Sequence, residues 1–274
     1  MNTFLPFFLI IFHLAAAAQI TTPVVRAGFG IEAELRANYF NNFVQSGNDD
    51  WFNNGTPGTG SFVIDTSGAA SLMAMWAANP ALRRLPFYRT MRVPQFSLIN
   101  NRLWIDGVYI RDYNGQAGGD STAFVMSNKN GDSPEAWTGG VTSVLDKNDI
   151  GEMMVHVRRA GPTKFDTLWF MGGISLQGTS GNRYFDFELY QTDIFYSRTT
   201  GDFTNFGPDE GHTSWEFDAA GQIVKPGDVI FTAEFSSSSL SMLEARIWVP
   251  RTAITTVTPM GFSWTGSFDG SGPS

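Results

Sequence analysis

Cysteine is absent from the 274 residues. Disulfide scaffolds, thiolate-bound zinc and thiol nucleophiles are therefore excluded, and a chain of this length must be held by a hydrophobic core. Histidine is almost as scarce, with only His13, His156 and His212 present. A Ser-His-Asp constellation in the folded body would have to use His156 or His212, and a three-histidine zinc site cannot be built from those two. Charged residues make up only 16%, and acids outnumber bases to give a net charge of −8. Binding to phosphate backbones or anionic lipid needs clustered Lys and Arg, so no nucleic-acid partner is expected. Beyond the first 18 residues no run approaches the ~20 apolar residues of a membrane-spanning helix, and no span is expected in the mature chain.

The remaining long apolar run is at the start. Phe4–Leu14 is interrupted only by Pro6 and His13, and Ala15–Ala18 follows. This is the layout of a secretory signal peptide over residues 1–18, with cleavage leaving Gln19 first and an extracellular destination.

Aromatic residues and glycine are abundant, with 24 Phe, 8 Trp and 29 Gly. Glycine turns joined to aromatic strands suit a mainly β domain. The clearest strand signal is GNRYFDFELYQ at Gly181–Gln191. Phe185, Phe187 and Leu189 fall on one side, and Tyr184, Asp186, Glu188 and Tyr190 on the other, because successive side chains alternate. Similar alternation predicts strands at Glu152–Arg158, Thr167–Ile174, Asp228–Phe235 and Leu243–Val249. Phe96 onward reads as a hairpin turning at Asn100–Asn101, with Asp106–Gly107 as a second turn or a bulge. Ser67–Asn79 is the best helix, capped by Thr66 or Ser67 and stopped by Pro80. Ile31–Phe43 also has near-helical spacing.

The expected fold is an antiparallel, jelly-roll-like β-sandwich. A linker and helix-containing part over residues 19–94 packs against a sandwich over residues 95–257. Residues 258–274 form a truncated strand or a linker, the strand falling near Phe262–Trp264. The first of these options predicts an unpaired edge.

If the later strands share a sheet, Tyr184, Asp186, Glu188, Tyr190, Glu234, Glu244, Arg246 and Trp248 line one surface, with His156 and Arg158 offering polar groups from an earlier strand. Such a face can be an ordinary solvated one with cross-strand Glu–Arg pairs. It can also grip a glycan through its acids and rings. With Glu188 and Glu234 as acid and base or nucleophile, it could hydrolyse one. No nucleophile motif surrounds these residues, so non-catalytic binding is expected ahead of hydrolysis. No organic cofactor is expected. Oxygen-rich loops at Asp112, Asn114 and Asp120, and at Asp146, Asn148 and Asp149, could hold a structural Ca²⁺ or simply bond their own backbone. Arg83, Arg84, Arg89 and Arg92 could clamp an anion but suit internal ion pairs better. Asn54-Gly55-Thr56 fits a glycosylation acceptor.

The strings LRRLPFYRTMR, LDKNDI, VHVRRAGP, GNRYFDFELYQTDIFY, GPDEGHTSWEFDAAG and PGDVIFTAEF resemble the N-terminal region of large surface proteins of Bacteroidota. That resemblance implies export, type IX secretion, association with gliding motility and an adhesin-like, cell-surface role. It carries over no catalytic residue. The chain ends at SFDGSGPS without a sorting domain or repeats, and reads as a fragment with further domains.

Overall fold

The computed structural model describes residues 39–40, 43–44, 49–52, 61–79, 81–82, 86–112, 120–122, 125, 133–178, 180–197, 199–237, 239–264 and 274. The signal-peptide segment, the glycosylation acceptor, Arg83, Arg84, Asn114 and most of Ile31–Phe43 lie outside them. The described chain is mainly β, with antiparallel pairing throughout its sheets.

The first sheet contains β1 (Phe87–Thr90), β2 (Ser97–Ile99), β3 (Arg102–Arg111), β4 (Ile150–Arg159) and β5 (Leu168–Leu176). Its order is β1-β3-β4-β5, with β2 also on β3. β1 pairs with the far half of β3 and β2 with the near half, so the two short strands share one edge of it. Between them lies Pro94, followed by Phe96 in the left-handed region at φ 62°. Asn100 and Asn101 both have positive φ, 49° and 59°, which is the tight hairpin turn their sequence signals. Asp106–Gly107 is a bulge and not a turn: the register with β4 shifts between Trp104 and Asp106 while β3 continues.

The second sheet contains β6 (Arg183–Leu189), β7 (Val229–Ser236) and β8 (Ser239–Ile247), in that order. Connectivity inside both sheets is of the meander type. The long excursion between β6 and β7 carries two small ladders, Phe195–Ser197 with Asp202–Thr204 and Glu216–Phe217 with Ile223–Lys225. The sheets meet through phenylalanines. Phe170 of β5 stacks on Phe231 of β7 with centroids 5.8 Å apart and meets Phe187 of β6 edge-on at 5.7 Å. Gly172 fits beneath the Phe187 ring, where a Cβ would stand only 3.0 Å away.

The most deeply buried apolar cluster lies on the other side of the first sheet. Trp104, Tyr109 and Met154 pack there against Trp51, Val63, Ile64 and Met91. The N-terminal part is laced on by backbone bonds, with Asp65 N donating to Thr90 O and Arg92 N to Val63 O. The sheet thus takes its first strand from before Pro94.

The helix α1 (Ala69–Ala78) begins at Gly68, in the left-handed conformation, without a side-chain cap. Ser67, expected to cap it, instead bonds the Asp65 carboxylate through its amide and its hydroxyl. Trp76 anchors the helix, donating Nε1–H to Leu82 O at 2.7 Å and meeting Phe87 edge-on. Tyr39–Phe40 and Phe43–Val44 pair as short antiparallel strands, which corrects the helical expectation at the end of Ile31–Phe43.

Candidate functional site

Antiparallel neighbours directly across a ladder project to the same side. Register therefore turns the second sheet into a grid. Tyr184 lies opposite Glu234, and Glu234 opposite Met242; the next row is Asp186, Thr232 and Glu244; the next is Glu188, Ile230 and Arg246. One step further, beyond the last paired residues Leu189, Val229 and Ile247, come Tyr190, Asp228 and Trp248. The eight residues that the alternation assigned to one surface belong to this face. The opposite face holds Phe185, Phe187, Phe231 and Phe235 and meets the first sheet.

The face is not the open surface that alternation suggests. Ile230, Thr232 and Trp248 are buried, while Glu188 and Asp186 are partly covered. The cover over its lower end comes from residues 133–137 and 207–215. Ser133 Oγ donates to the Glu210 carbonyl at 2.5 Å, and Gly211 turns at φ 92° against Pro134. Gly207 backs onto the carbonyl of His212, where no side chain would fit. This delivers the His212 ring between Trp248, stacked at 3.9 Å, and Tyr190 at 5.4 Å. Its Nδ1 donates to Asp228 Oδ2 at 3.0 Å. Asp228 also accepts from the amides of Gln191 and Thr213. Trp137 meets Tyr190 edge-on at 6.4 Å.

The electrostatics follow from burial. Loss of water pushes Glu188 up to about 7; the Tyr190 hydroxyl, which donates to its Oε2, works against this, while the negative charges of Asp186 and Asp228 add to it. Asp186 is raised as well, chiefly by burial, with partial relief from Thr232 and Arg246. Tyr190 is driven upward by burial and by Glu188, so its hydroxyl keeps its proton and remains a donor. Arg246 donates from Nε to Glu244 at 3.1 Å. Buried Asp186 Oδ1 and Thr232 Oγ1 have no partner other than each other, and buried Trp248 Nε1 has no hydrogen-bond partner. Such atoms carry a desolvation cost that a bound group would remove. A carboxyl that titrates near neutrality, a phenol donor and stacked rings can bind a polar ligand or move a proton.

Several expectations change. His156 and Arg158 belong to the first sheet and lie beneath the N-terminal part, both at 0% exposure. Arg158 pairs with Asp49, donating from Nη1 to its Oδ2, and donates from Nε to His156 Nε2 at 2.9 Å; His156 Nδ1–H donates to Asp106 O at 2.6 Å. Burial, reinforced by the Arg158 charge, lowers His156 to about 3. This pair is structural and offers nothing to a ligand. Glu234 sits four residues up the grid from Glu188, about 14 Å of strand, beyond the carboxyl spacing of roughly 5–9.5 Å that glycosidases use. Asp186 is the nearer partner on the same strand. The Asp146 main-chain carbonyl accepts from Gly178 N and the Asp149 main-chain carbonyl from Gln177 N. Among the described residues no group of three or more His, Asp or Glu side chains is placed to hold a metal ion. Arg89 and Arg92 donate to the main-chain carbonyls of Asp65, Ser67 and Phe62, where internal ion pairs were expected; Arg89 also stands 3.8 Å from the Asp65 carboxylate. Residues 262–264 form no strand; Phe262 packs on Trp215 at 5.1 Å, and Trp264 Nε1 donates to Val257 O.

The sequence reading missed His212 and Asp228 as members of this face. Asp228 was legible in principle, since alternation counted back from Thr232 and Ile230 reaches it. His212 comes from an irregular loop with no periodicity to follow.

No family model matches the chain, and comparisons with curated proteins and with solved structures likewise find no match.

Proposed function

We propose that this chain is an extracellular carbohydrate-binding module, acting through the acidic and aromatic face of its second sheet. The observation that carries the reading is the grid itself. Three strands in register align Tyr184, Asp186, Glu188 and Tyr190 with Thr232, Glu244, Arg246 and Trp248, and some of its buried polar atoms lack partners. Hydroxyl-rich ligands supply donors and acceptors to such atoms, and the exposed ring of Tyr184 can stack on a sugar face. The apolar leader and the resemblance to Bacteroidota surface proteins support a secreted, cell-surface setting with an adhesive role. A glycan array read with the wild type beside Tyr184→Ala and Asp186→Asn tests it. Binding that both variants lose supports the module; an array with no binder removes it.

One observation favours a second reading, hydrolysis of a glycoside. Glu188 is held protonated near neutrality, as a general acid must be, and Asp186 stands two residues away on the same face, about 7 Å along the strand. Release of reducing sugar from a polysaccharide panel, abolished by Glu188→Gln, would establish it.

A further inference from the structure

We propose that two copies of this chain pair edge to edge along β8, antiparallel about a two-fold axis through Ala245. This goes beyond the carbohydrate reading and does not depend on it.

The second sheet runs β6-β7-β8, so β8 has a strand on one side only. Among the described residues no backbone group outside β7 bonds Leu243, Ala245 or Ile247. Ser239, Leu240, Ser241, Leu243 and Ala245 are exposed, Leu243 at 52%. The strand contains no proline and no lysine, the residues that most often keep such an edge single.

The direction of its backbone groups follows from alternation. The amide of Trp248 reaches Asp228 O, on the β7 side. In an antiparallel strand the amide and carbonyl of one residue point the same way, and the next residue points oppositely. Ile247, Ala245 and Leu243 therefore direct theirs outward, where a second strand would meet them.

Charge then chooses the register. A two-fold axis normal to the sheet keeps each face on its own side, so only residues of one face can stand opposite one another. Glu244 and Arg246 are the only charges in Ser239–Ile247, and they share a face. Centring the pair on either of them sets like charges opposite. Centring it on Leu243 leaves Glu244 opposite the partner's Met242 and Arg246 opposite the partner's Leu240. It also carries the ladder past Ser241, where the register with β7 slips. Centring it on Ala245 places Glu244 opposite the partner's Arg246, twice over by symmetry. That is a non-hydrogen-bonded position, where side chains lie closest. On the other face Leu243 meets the partner's Ile247. The contact from Arg246 Nε to Glu244 within the strand, at 3.1 Å, becomes part of a ring of four alternating charges. The product is a continuous six-stranded sheet with both acidic faces on one side.

The lack of native cysteine makes the register testable by crosslinking. Sedimentation of the full chain should show a monomer–dimer equilibrium. Under mild oxidation Ala245→Cys should lock the dimer as a disulfide, since opposite residues of a hydrogen-bonded pair have Cα atoms about 5.5 Å apart. Leu243→Cys should not. Glu244→Arg and Arg246→Glu should each weaken the dimer about tenfold, and mixing the two variants should restore it as a heterodimer. Melting curves show whether these two fold; if either does not, the cysteine variants decide. A chain that stays monomeric at about 0.1 mM overturns the proposal. So does a dimer that Leu243→Cys links and Ala245→Cys does not, or one indifferent to the charge reversals.

Discussion

The imidazole of His212 lies on the indole of Trp248 with ring centroids 3.9 Å apart and planes 23° from parallel, while its Nδ1 donates to Asp228. The contact ties the 207–215 loop to the end of β8 and closes the lower end of the acidic face. Because Asp228 is itself buried and serves two backbone amides, it is the centre of this closure.

Replacing Asp228 with Ala should therefore strand the amides of Gln191 and Thr213 and the imidazole at once. A loss of about 3 kcal/mol is expected from several buried donors left unpaired. Urea denaturation measures it. A loss below about 1 kcal/mol would show that the loop closes without this carboxylate.

Glu188 makes stability depend on pH in a defined direction. Its folded value, about 7, is above the ordinary 4.5, so the folded state holds the proton more tightly than the unfolded chain. The contribution is complete below about pH 4.5 and is lost as pH rises through about 7, reaching on the order of 3 kcal/mol. Glu188→Gln keeps the neutral form at every pH. Its melting temperature should exceed that of the wild type at pH 8 and approach it at pH 5. Parallel profiles would rule out a buried, proton-holding Glu188.

His156 works in the opposite sense. Held neutral down to about 3 in the folded state, against 6.5 ordinarily, it contributes stability that is present above about pH 6.5 and lost as pH falls toward 3. Imidazole NMR should find it neutral at pH 5, protonated on Nδ1 and accepting at Nε2.

Asp49 holds the N-terminal part to the first sheet through Arg158, and accepts from the Ser61 amide within that part. Asp49→Ala leaves a buried guanidinium uncompensated, with a cost of about 3–5 kcal/mol. Limited proteolysis should then cut the N-terminal part ahead of the sheets. Resistance equal to the wild type would show that the apolar contacts of Trp51, Val63 and Ile64 suffice.

Deleting residues 258–274 should lower the melting temperature. The deletion removes Phe262 from Trp215 and Phe217, Trp264 from Phe217, and the Met260 amide from Gly221 O. An unchanged melt would mean that this segment is a linker.

Long alternating strands were legible because period two survives any tertiary context. All five predicted core strands exist, within a few residues of their predicted ends, and Asn100–Asn101 turns as its residue types demand. Alternation tells which residues share a face, but it does not tell which face is covered. Met153, Val155 and Val157 look like the buried side of β4, yet Met154, His156 and Arg158 are the more deeply buried set, because a distant segment supplies Asp49 and Trp51 to meet them. The candidate face has the same history. Its strand residues were readable, whereas the loop that brings His212 onto Trp248 depends on contacts between irregular segments far apart in sequence.

The division of one edge of β3 between β1 and β2 has a consequence for how copies of this chain meet. An uninterrupted outer strand offers a run of unpaired amides and carbonyls that another molecule can extend. Here the row is broken by Pro94, which lacks an amide hydrogen, and by the left-handed turn of Phe96, while Asp65 N takes the Thr90 carbonyl and Ile64 bridges Met91. What remains is two stubs of four and three residues. A second copy finds only short, interrupted stretches of backbone there, a poor template for adding a strand.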